Sequence, residues 1–119
     1  RNPGGDPSYH AMSHGEAFND LLETKLGFLM RQGGLLVLDE PEAGLSFLSQ
    51  ATLANQLAGL RDDGVQVLLA THSPILSAIP GATIIELDAD GFQHREWSEL
   101  ITVALFRRFL ADPGYFGLA

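Results

Sequence analysis

Two short apolar segments constrain the fold of this 119-residue chain most strongly. Residues 35–38 read Leu-Leu-Val-Leu, and residues 65–70 read Val-Gln-Val-Leu-Leu-Ala. Short apolar runs of this kind are typical of β-strands that are buried on both faces. Between them, Leu53, Leu57 and Leu60 recur at the spacing of one helix face. Strand, helix and strand within about 35 residues predict a βαβ unit with parallel strands and a right-handed crossover.

Further elements are predicted on both sides of this unit. Residues 1–9 are rich in Gly, Pro and Asp and indicate a loop, and residues 15–30 follow a helical pattern. Residues 82–87 and 92–96 flank an Asp/Gly turn, which predicts a β-hairpin. A last helix is expected over 98–110. The sequence therefore predicts an α/β fold with parallel strands, a crossover helix, a hairpin and a C-terminal helix.

Net charge and cysteine content exclude several classes of function. The chain has 15 Asp and Glu against 7 Lys and Arg, a formal charge of −8, so broad attraction to nucleic acid or anionic lipid is not indicated. Zero cysteine excludes disulfides and fits a reducing compartment. Its apolar stretches fall short of the roughly 20 residues of a membrane span, and we expect no membrane insertion. Because the sequence starts at Arg1 without a signal pattern, we expect a longer gene product.

The single lysine bears on phosphate binding. A phosphate-cradling P-loop needs Gly-x-x-x-x-Gly-Lys followed by Ser or Thr, and neither the glycines nor the hydroxyl stands beside Lys25. The sequence also has no Gly-x-Gly-x-x-Gly motif. A nucleotide-binding loop of either kind is therefore not encoded in these 119 residues.

Polar side chains follow both predicted strands. Asp39 and Glu40 come after the first strand, and Thr71, His72 and Ser73 come after the second. In open α/β sheets, chemistry collects at this carboxyl edge. Two adjacent carboxylates there are costly unless a cation or a donor meets them, which bound Mg²⁺ would explain. The alternative is that both segments are simply the solvated starts of loops.

A second polar segment precedes the predicted helix at 15–30. It reads Ser-His-Gly-Glu at 13–16, and its backbone N–H groups could form an anion site with the Ser13 hydroxyl as an added donor. An ordinary helix N-cap is the alternative. His10 and His14 are four residues apart, but the following glycine argues against a helical metal site.

Other candidate residues are assigned structural roles. We expect His94 to lie on the surface of the hairpin. Ser73 adjoins His72 in sequence, which is poor geometry for a nucleophile and its base, so a hydrolase triad is not supported. An aromatic and apolar set at helical spacing is interpreted as core rather than as a ligand platform; it comprises Trp97, Leu105, Phe106 and Phe109.

The order of three segments resembles the C-terminal half of an ABC-type ATPase. The segments are SHGE at 13–16, LLVLDEPEAGLS at 35–46 and LLATHSP at 68–74. Within that superfamily the chain looks most like small stand-alone bacterial ATPases, called AAA-family or ABC-like, that carry a Met-Ser-His-Gly-Glu signature. PGATIIELD at 80–88 and RFLADP at 108–113 also resemble that group.

The resemblance implies catalytic roles at the sheet edge. Asp39 is similar to the Walker B aspartate that holds Mg²⁺, usually through water. Glu40 matches the adjacent glutamate that polarises the attacking water as general base. Pro41 is expected to restrain Glu40 to an extended conformation. His72 corresponds to the switch histidine that senses the γ-phosphate.

The resemblance also implies contacts across a dimer. Ser13, Gly15 and Glu16 look like the signature motif that contacts the ATP held by the opposite protomer. The segment Ala43, Gly44, Leu45 and Ser46 lies where such ATPases have the D-loop at the dimer interface, although Ser46 replaces the usual Asp. His14 and Glu16 also depart from the transporter consensus, which argues for the stand-alone or DNA-repair-like branches.

The fold and function implied are those of a partial enzyme. We expect residues 1–119 to be the C-terminal portion of one ABC-type ATPase domain, with a P-loop NTPase-like three-layer fold whose Walker A half lies upstream. The cofactors are ATP and Mg²⁺, the location is cytoplasmic, and the partner is a second copy or a P-loop-containing segment. Alone, the chain is expected to be inactive. The alternative is a non-catalytic interaction or dimerisation module that regulates a partner ATPase.

Overall fold

The computed structural model describes residues 32–118. Within this range the first unit is β1 (Leu35–Asp39), α1 (Phe47–Asp62) and β2 (Gln66–Ala70). β1 and β2 pair in parallel, with Leu35 opposite Gln66 and Asp39 opposite Ala70. The predicted βαβ unit with parallel strands is confirmed. The predicted loop over 1–9 and helix over 15–30 lie outside the described residues.

Helix α1 is capped at its start by a side chain and is followed at its end by a glycine turn. The Ser46 hydroxyl accepts a hydrogen bond from the Ser49 N–H at 3.2 Å, which satisfies one of the unpaired donors of the first turn. At the other end, Asp63 and Gly64 form the exit turn, and Gly64 has a φ of +95°. Glycine adopts that left-handed conformation without the steric cost of a Cβ atom.

The core lies between α1 and one face of the two-stranded sheet. Leu53, Leu57 and Leu60 on α1 are buried as the leucine spacing predicts. They pack with two further buried residues, Val65 and Leu76, and against the inward side chains of both strands: Leu36, Leu38, Val67 and Leu69. Burying a leucine side chain is worth about 1.5–3 kcal/mol, so this cluster dominates the stability of the unit.

The expectation that both strands are buried on both faces is wrong for the described part of the chain. Successive residues alternate between partly buried and exposed along β1 and along β2. Leu35, Val37 and Leu68 point away from α1 and are exposed. An unbroken apolar run predicts two covered faces, but within residues 32–118 only the face toward α1 is packed.

The second unit is a hairpin followed by a helix. β3 (Ile85–Asp88) and β4 (Gly91–His94) pair antiparallel, with Asp88 opposite Gly91, and this confirms the hairpin prediction. His94 is exposed, as expected. The terminal helix α2 (Ile101–Ala111) starts later than predicted, because a separate 3₁₀ turn occupies Trp97–Glu99.

The prediction that the aromatic set of the C-terminal region forms core is wrong. Trp97, Leu105 and Phe106 are all exposed, and Phe109 is partly buried. The residues of this region that are buried are Leu100 and Val103. The 3.6-residue spacing correctly identifies one apolar helix face, but spacing does not specify what covers that face.

Candidate functional site

The carboxyl ends of β1 and β2 meet at one edge of the sheet. Because Asp39 is paired with Ala70, the residues that follow each strand leave it side by side. The Glu40 N–H donates to the Ala70 carbonyl oxygen at 2.7 Å, which extends the strand ladder by one bond. The structure therefore brings together Glu40 and His72, two side chains that are 32 positions apart in sequence.

Glu40 and His72 are in direct side-chain contact. His72 Nδ1 lies 3.1 Å from Glu40 Oε1, within hydrogen-bond distance. The His72 side chain is 82% exposed and the Glu40 side chain 56% exposed. A polar contact with this exposure adds little to folding stability, and both side chains are open to a ligand.

The backbone of Glu40 corrects the expectation that the following proline keeps it extended. Glu40 has a φ of +48° and is a residue other than glycine in the left-handed region. The chain reverses here: Ala43 N–H points to the Glu40 carbonyl oxygen at 3.4 Å, and Leu45 N–H donates to that of Glu42 at 2.9 Å. The tight turn therefore overrides the pre-proline preference, at a cost on the order of 1–3 kcal/mol.

Glu42 connects this turn to the segment that carries His72. Its Oε1 accepts a hydrogen bond from the Thr71 hydroxyl at 2.6 Å, and its Oε2 accepts one from the His72 N–H at 3.0 Å. Partial burial raises the pKa of Glu42, but several interactions lower it, led by the hydrogen bonds from Thr71 and the His72 N–H, and the pKa of Glu42 lies below its ordinary value. Sequence reasoning missed Glu42; the signal available was a third carboxylate two positions after Glu40.

Ser73 holds the other side of the same segment. It is a polar residue in the core, 5% exposed, and its hydroxyl donates to Gln50 Oε1 and accepts from the N–H groups of Ile75 and Leu76 at 3.1 Å each. Gln50 in turn donates from Nε2 to the Leu45 carbonyl oxygen at 3.1 Å. Ser73 thus has a structural role that no sequence pattern indicated, and so does Gln50.

Three side chains at this edge could share a cation. Glu40, Glu42 and His72 each offer one ligand atom, and these atoms lie within 4.8 Å of one another. Carboxylate oxygens are the ligands that Mg²⁺ prefers, whereas imidazole suits transition metals. Asp39, the predicted Mg²⁺ residue, is exposed at the end of β1 and is not one of these three. The carboxylates at this edge fit a hard divalent ion.

The predicted interface segment is a surface turn that leads into α1. Ala43, Gly44 and Ser46 are exposed, while Leu45 packs against the core. The next two residues, Phe47 and Leu48, are 70% and 75% exposed. The predicted signature residues Ser13, Gly15 and Glu16 lie outside the described range.

Membrane insertion finds no support in the part of the chain that the structure describes. Within residues 32–118, α1 and α2 are too short or too polar to cross a bilayer, and the same holds for every other helix there.

Comparison with known proteins finds one family and two relatives. Residues 23–78 match the family described as "AAA domain, putative AbiEii toxin, Type IV TA system". The chain is 30% identical over 96 residues to an "Uncharacterized ABC transporter ATP-binding protein" of Haemophilus influenzae, covering 80% of this chain and 35% of that protein. It is 48% identical over 44 residues to a "Putative ABC transporter ATP-binding protein" of Streptomyces coelicolor, covering 37% of this chain and 8% of that protein. No solved structure matches the chain.

The matched part of the chain therefore spans well under half of each curated relative. The parallel strand pair with its crossover helix is compatible with part of a P-loop NTPase fold. Together, the family match and the two relatives support this chain as a fragment of an ABC/AAA-like ATPase.

Proposed function

We propose that residues 1–119 are the C-terminal portion of an ABC-type ATPase domain, which in its complete form binds ATP and hydrolyses it with Mg²⁺. The observation that carries this proposal is the contact of 3.1 Å between Glu40 and His72 at the carboxyl edge of a parallel strand pair. The family match and both ATP-binding relatives support the same assignment.

Glu40 is the general base of the proposed reaction. Its carboxylate is accessible to solvent. Glu40 directly follows β1, and its backbone is held by the hydrogen bond from its N–H to the Ala70 carbonyl oxygen. A carboxylate held in this way can orient a water molecule and accept its proton as the water attacks the γ-phosphate. His72, whose ring is also exposed, donates to the γ-phosphate oxygens and stabilises the charge that they carry in the transition state.

Asp39 is the proposed Mg²⁺ residue, acting through water. It stands at the end of β1 with an exposed carboxylate, and its neighbour Glu40 adds a second carboxylate at the same edge. Mg²⁺, when bound, neutralises charge on the phosphates.

The proposed enzyme works as a homodimer or with a P-loop-containing segment, and we place it in the cytoplasm. The surface turn at 43–46 forms the interface, and the exposed Phe47 and Leu48 beside it support this assignment, because adjoining exposed apolar side chains commonly mark contact surfaces. Ser13, Gly15 and Glu16 contact the ATP of the partner. The 119-residue chain by itself is inactive because its sequence contains no phosphate cradle.

Turnover of ATP by the complete protein tests the proposal. Glu40→Gln removes the base while keeping the size of the side chain, and we expect turnover to fall by about 10²–10⁴-fold while ATP still binds. Asp90→Asn, an exposed carboxylate change in the hairpin turn, is the matched control and should leave turnover unchanged. Wild-type turnover by the Glu40→Gln protein, or robust turnover by the isolated chain, would contradict the proposal.

A non-catalytic module that dimerises with or regulates a partner ATPase is the second candidate. The exposed Phe47 and Leu48 favour it, since an interface does not require catalysis. The two candidates differ in the complete protein: the module binds its partner equally well with Glu40 or Gln at position 40 and shows no turnover with either.

A further inference from the structure

We propose that Glu42 is a positioning residue for His72: it fixes the backbone of the segment at 71–72 so that the exposed imidazole faces the reacting phosphate. This inference rests on the proposed function, in which His72 acts on ATP. It assigns a role to a carboxylate that the mechanism itself does not use.

Both oxygens of Glu42 are committed to the segment that carries His72. Oε1 accepts a hydrogen bond from the Thr71 hydroxyl at 2.6 Å, and Oε2 accepts one from the His72 N–H at 3.0 Å. Glu42 lies 29 and 30 positions away from these two residues in sequence. The carboxylate therefore ties the turn after β1 to the loop after β2.

The side chain of His72 needs this support because it is 82% exposed. Packing cannot fix a ring that is mostly in solvent, so its location depends on the backbone to which it is attached. Ser73 holds that backbone on the core side through Gln50, and Glu42 holds it on the side of the strand end. His72 thus projects from a short segment that is fixed at both ends.

A carboxylate suits this task better than a neutral side chain. Two donors, one hydroxyl and one N–H, converge on Glu42, and an ionised carboxylate accepts from both without presenting a donor of its own. Hydrogen bonds to a charged acceptor are also stronger than bonds between neutral groups. Thr71 Oγ1 additionally accepts the Ser73 N–H at 2.9 Å, so the hydroxyl links Glu42 to the next residue as well.

Amide hydrogen exchange at His72 in the nucleotide-free complete protein tests the placement directly. We expect Glu42→Ala to raise the exchange rate of the His72 amide by about tenfold or more. Thr71→Val should raise the exchange rate of the His72 amide less than Glu42→Ala does. Thr71→Ser keeps the hydroxyl and should show the wild-type rate. Thr71→Val leaves the charge of Glu42 in place, so its effect cannot come from loss of that charge.

Glu86→Ala is the matched control. Glu86 is a carboxylate that also accepts a backbone N–H, that of Ile101 at 2.9 Å, on the hairpin side of the structure. Its loss should leave both the His72 exchange rate and ATP turnover at wild-type values. A rise in His72 exchange with Glu86→Ala equal to that with Glu42→Ala would show general loosening and overturn the proposal.

Kinetics separate a positioning role from a merely structural one. Glu42→Ala should lower kcat by about 10- to 100-fold and change KM for ATP by less than about threefold, because Glu42 contacts the His72 backbone rather than the nucleotide. An unchanged kcat, or an unchanged His72 exchange rate in folded Glu42→Ala protein, would overturn the proposal. If the complete protein has no turnover at all, the proposed function fails, and exchange at His72 still decides whether Glu42 holds that segment.

Discussion

The N–H of Glu40 donates to the carbonyl oxygen of Ala70 at 2.7 Å, one step beyond the last residue pair of the parallel ladder. This bond holds Glu40 beside the second strand while its φ of +48° turns the chain away. The same residue therefore ends the strand, starts the turn and presents a carboxylate to His72. Residues other than glycine that adopt the left-handed backbone conformation are found often at functional sites.

The strain at Glu40 predicts a difference in stability between two variants that both lose activity. Glu40→Gly and Glu40→Ala both remove the carboxylate, but glycine adopts a φ of +48° freely whereas alanine does not. We expect the glycine variant to be more stable than the alanine variant by about 1 kcal/mol, measured by urea unfolding, and both to lose ATP turnover. Equal stability, or a more stable alanine variant, would show that position 40 is unstrained.

The lowered pKa of Glu42 predicts a pH-dependent contribution to stability. A carboxyl group whose pKa falls on folding stabilises the native state above its unfolded pKa, which is close to the ordinary value of 4.5. That contribution is lost as the pH falls through the lower folded pKa. The free energy of unfolding of wild type should therefore exceed that of Glu42→Gln at pH 7, and the difference should shrink progressively below about pH 5.

The matched control is Asp90→Asn, which changes an exposed carboxylate of the hairpin turn to an amide. The difference in free energy of unfolding between wild type and Glu42→Gln could instead stay constant from pH 7 to pH 3. That result would show that the hydrogen bonds from Thr71 and His72 do not stabilise the charged form of Glu42.

Two adjacent leucines on β2 test the one-sided packing of the sheet. Leu69 faces α1 and packs against the core, whereas Leu68 faces away and is 62% exposed. Leu69→Ala should lower the free energy of unfolding by about 2 kcal/mol or more, and Leu68→Ala by less than about 1 kcal/mol. Similar losses at both positions, measured by urea unfolding, would mean that the outer face is also packed.

Local sequence rules predicted much of this fold because its elements rely on local signals. The spacing of the leucines at 53, 57 and 60 predicted the buried face of α1. The Asp/Gly turn gave the hairpin. The outer face of the sheet and the aromatic face of α2 were wrongly predicted as core. An apolar pattern identifies an apolar face, but it does not specify which other element packs against that face.

The candidate site was predicted in part for a similar reason. Glu40 and His72 were recognisable because parallel strands bring their carboxyl ends together. Glu42 was not, because its two hydrogen bonds depend on the turn after Glu40, and the pre-proline rule predicted a different backbone there. A third carboxylate two positions after Glu40 is visible in the sequence, but local rules do not predict a contact that spans 30 positions and follows an unusual φ angle. The structure brings Glu40 and His72 together, but the functional roles of all the predicted site residues stay predictions: Asp39, Glu40, His72, the segment at 43–46, Ser13, Gly15 and Glu16.

The exposed start of α1 predicts where the proposed dimer can be broken. Phe47 is the first residue of the helix, and an aspartate there interacts favourably with the helix dipole, so Phe47→Asp should leave the chain folded while placing a charge in an apolar contact. In the Glu40→Gln background with Mg²⁺ and ATP, we expect the dimer dissociation constant to rise about tenfold or more, as for a buried aromatic contact. Phe92→Asp, which changes an exposed phenylalanine on β4, is the control and should have no effect. Sedimentation velocity measures both, and a dimer that tolerates Phe47→Asp but is weakened by Phe92→Asp would place the interface on the hairpin instead.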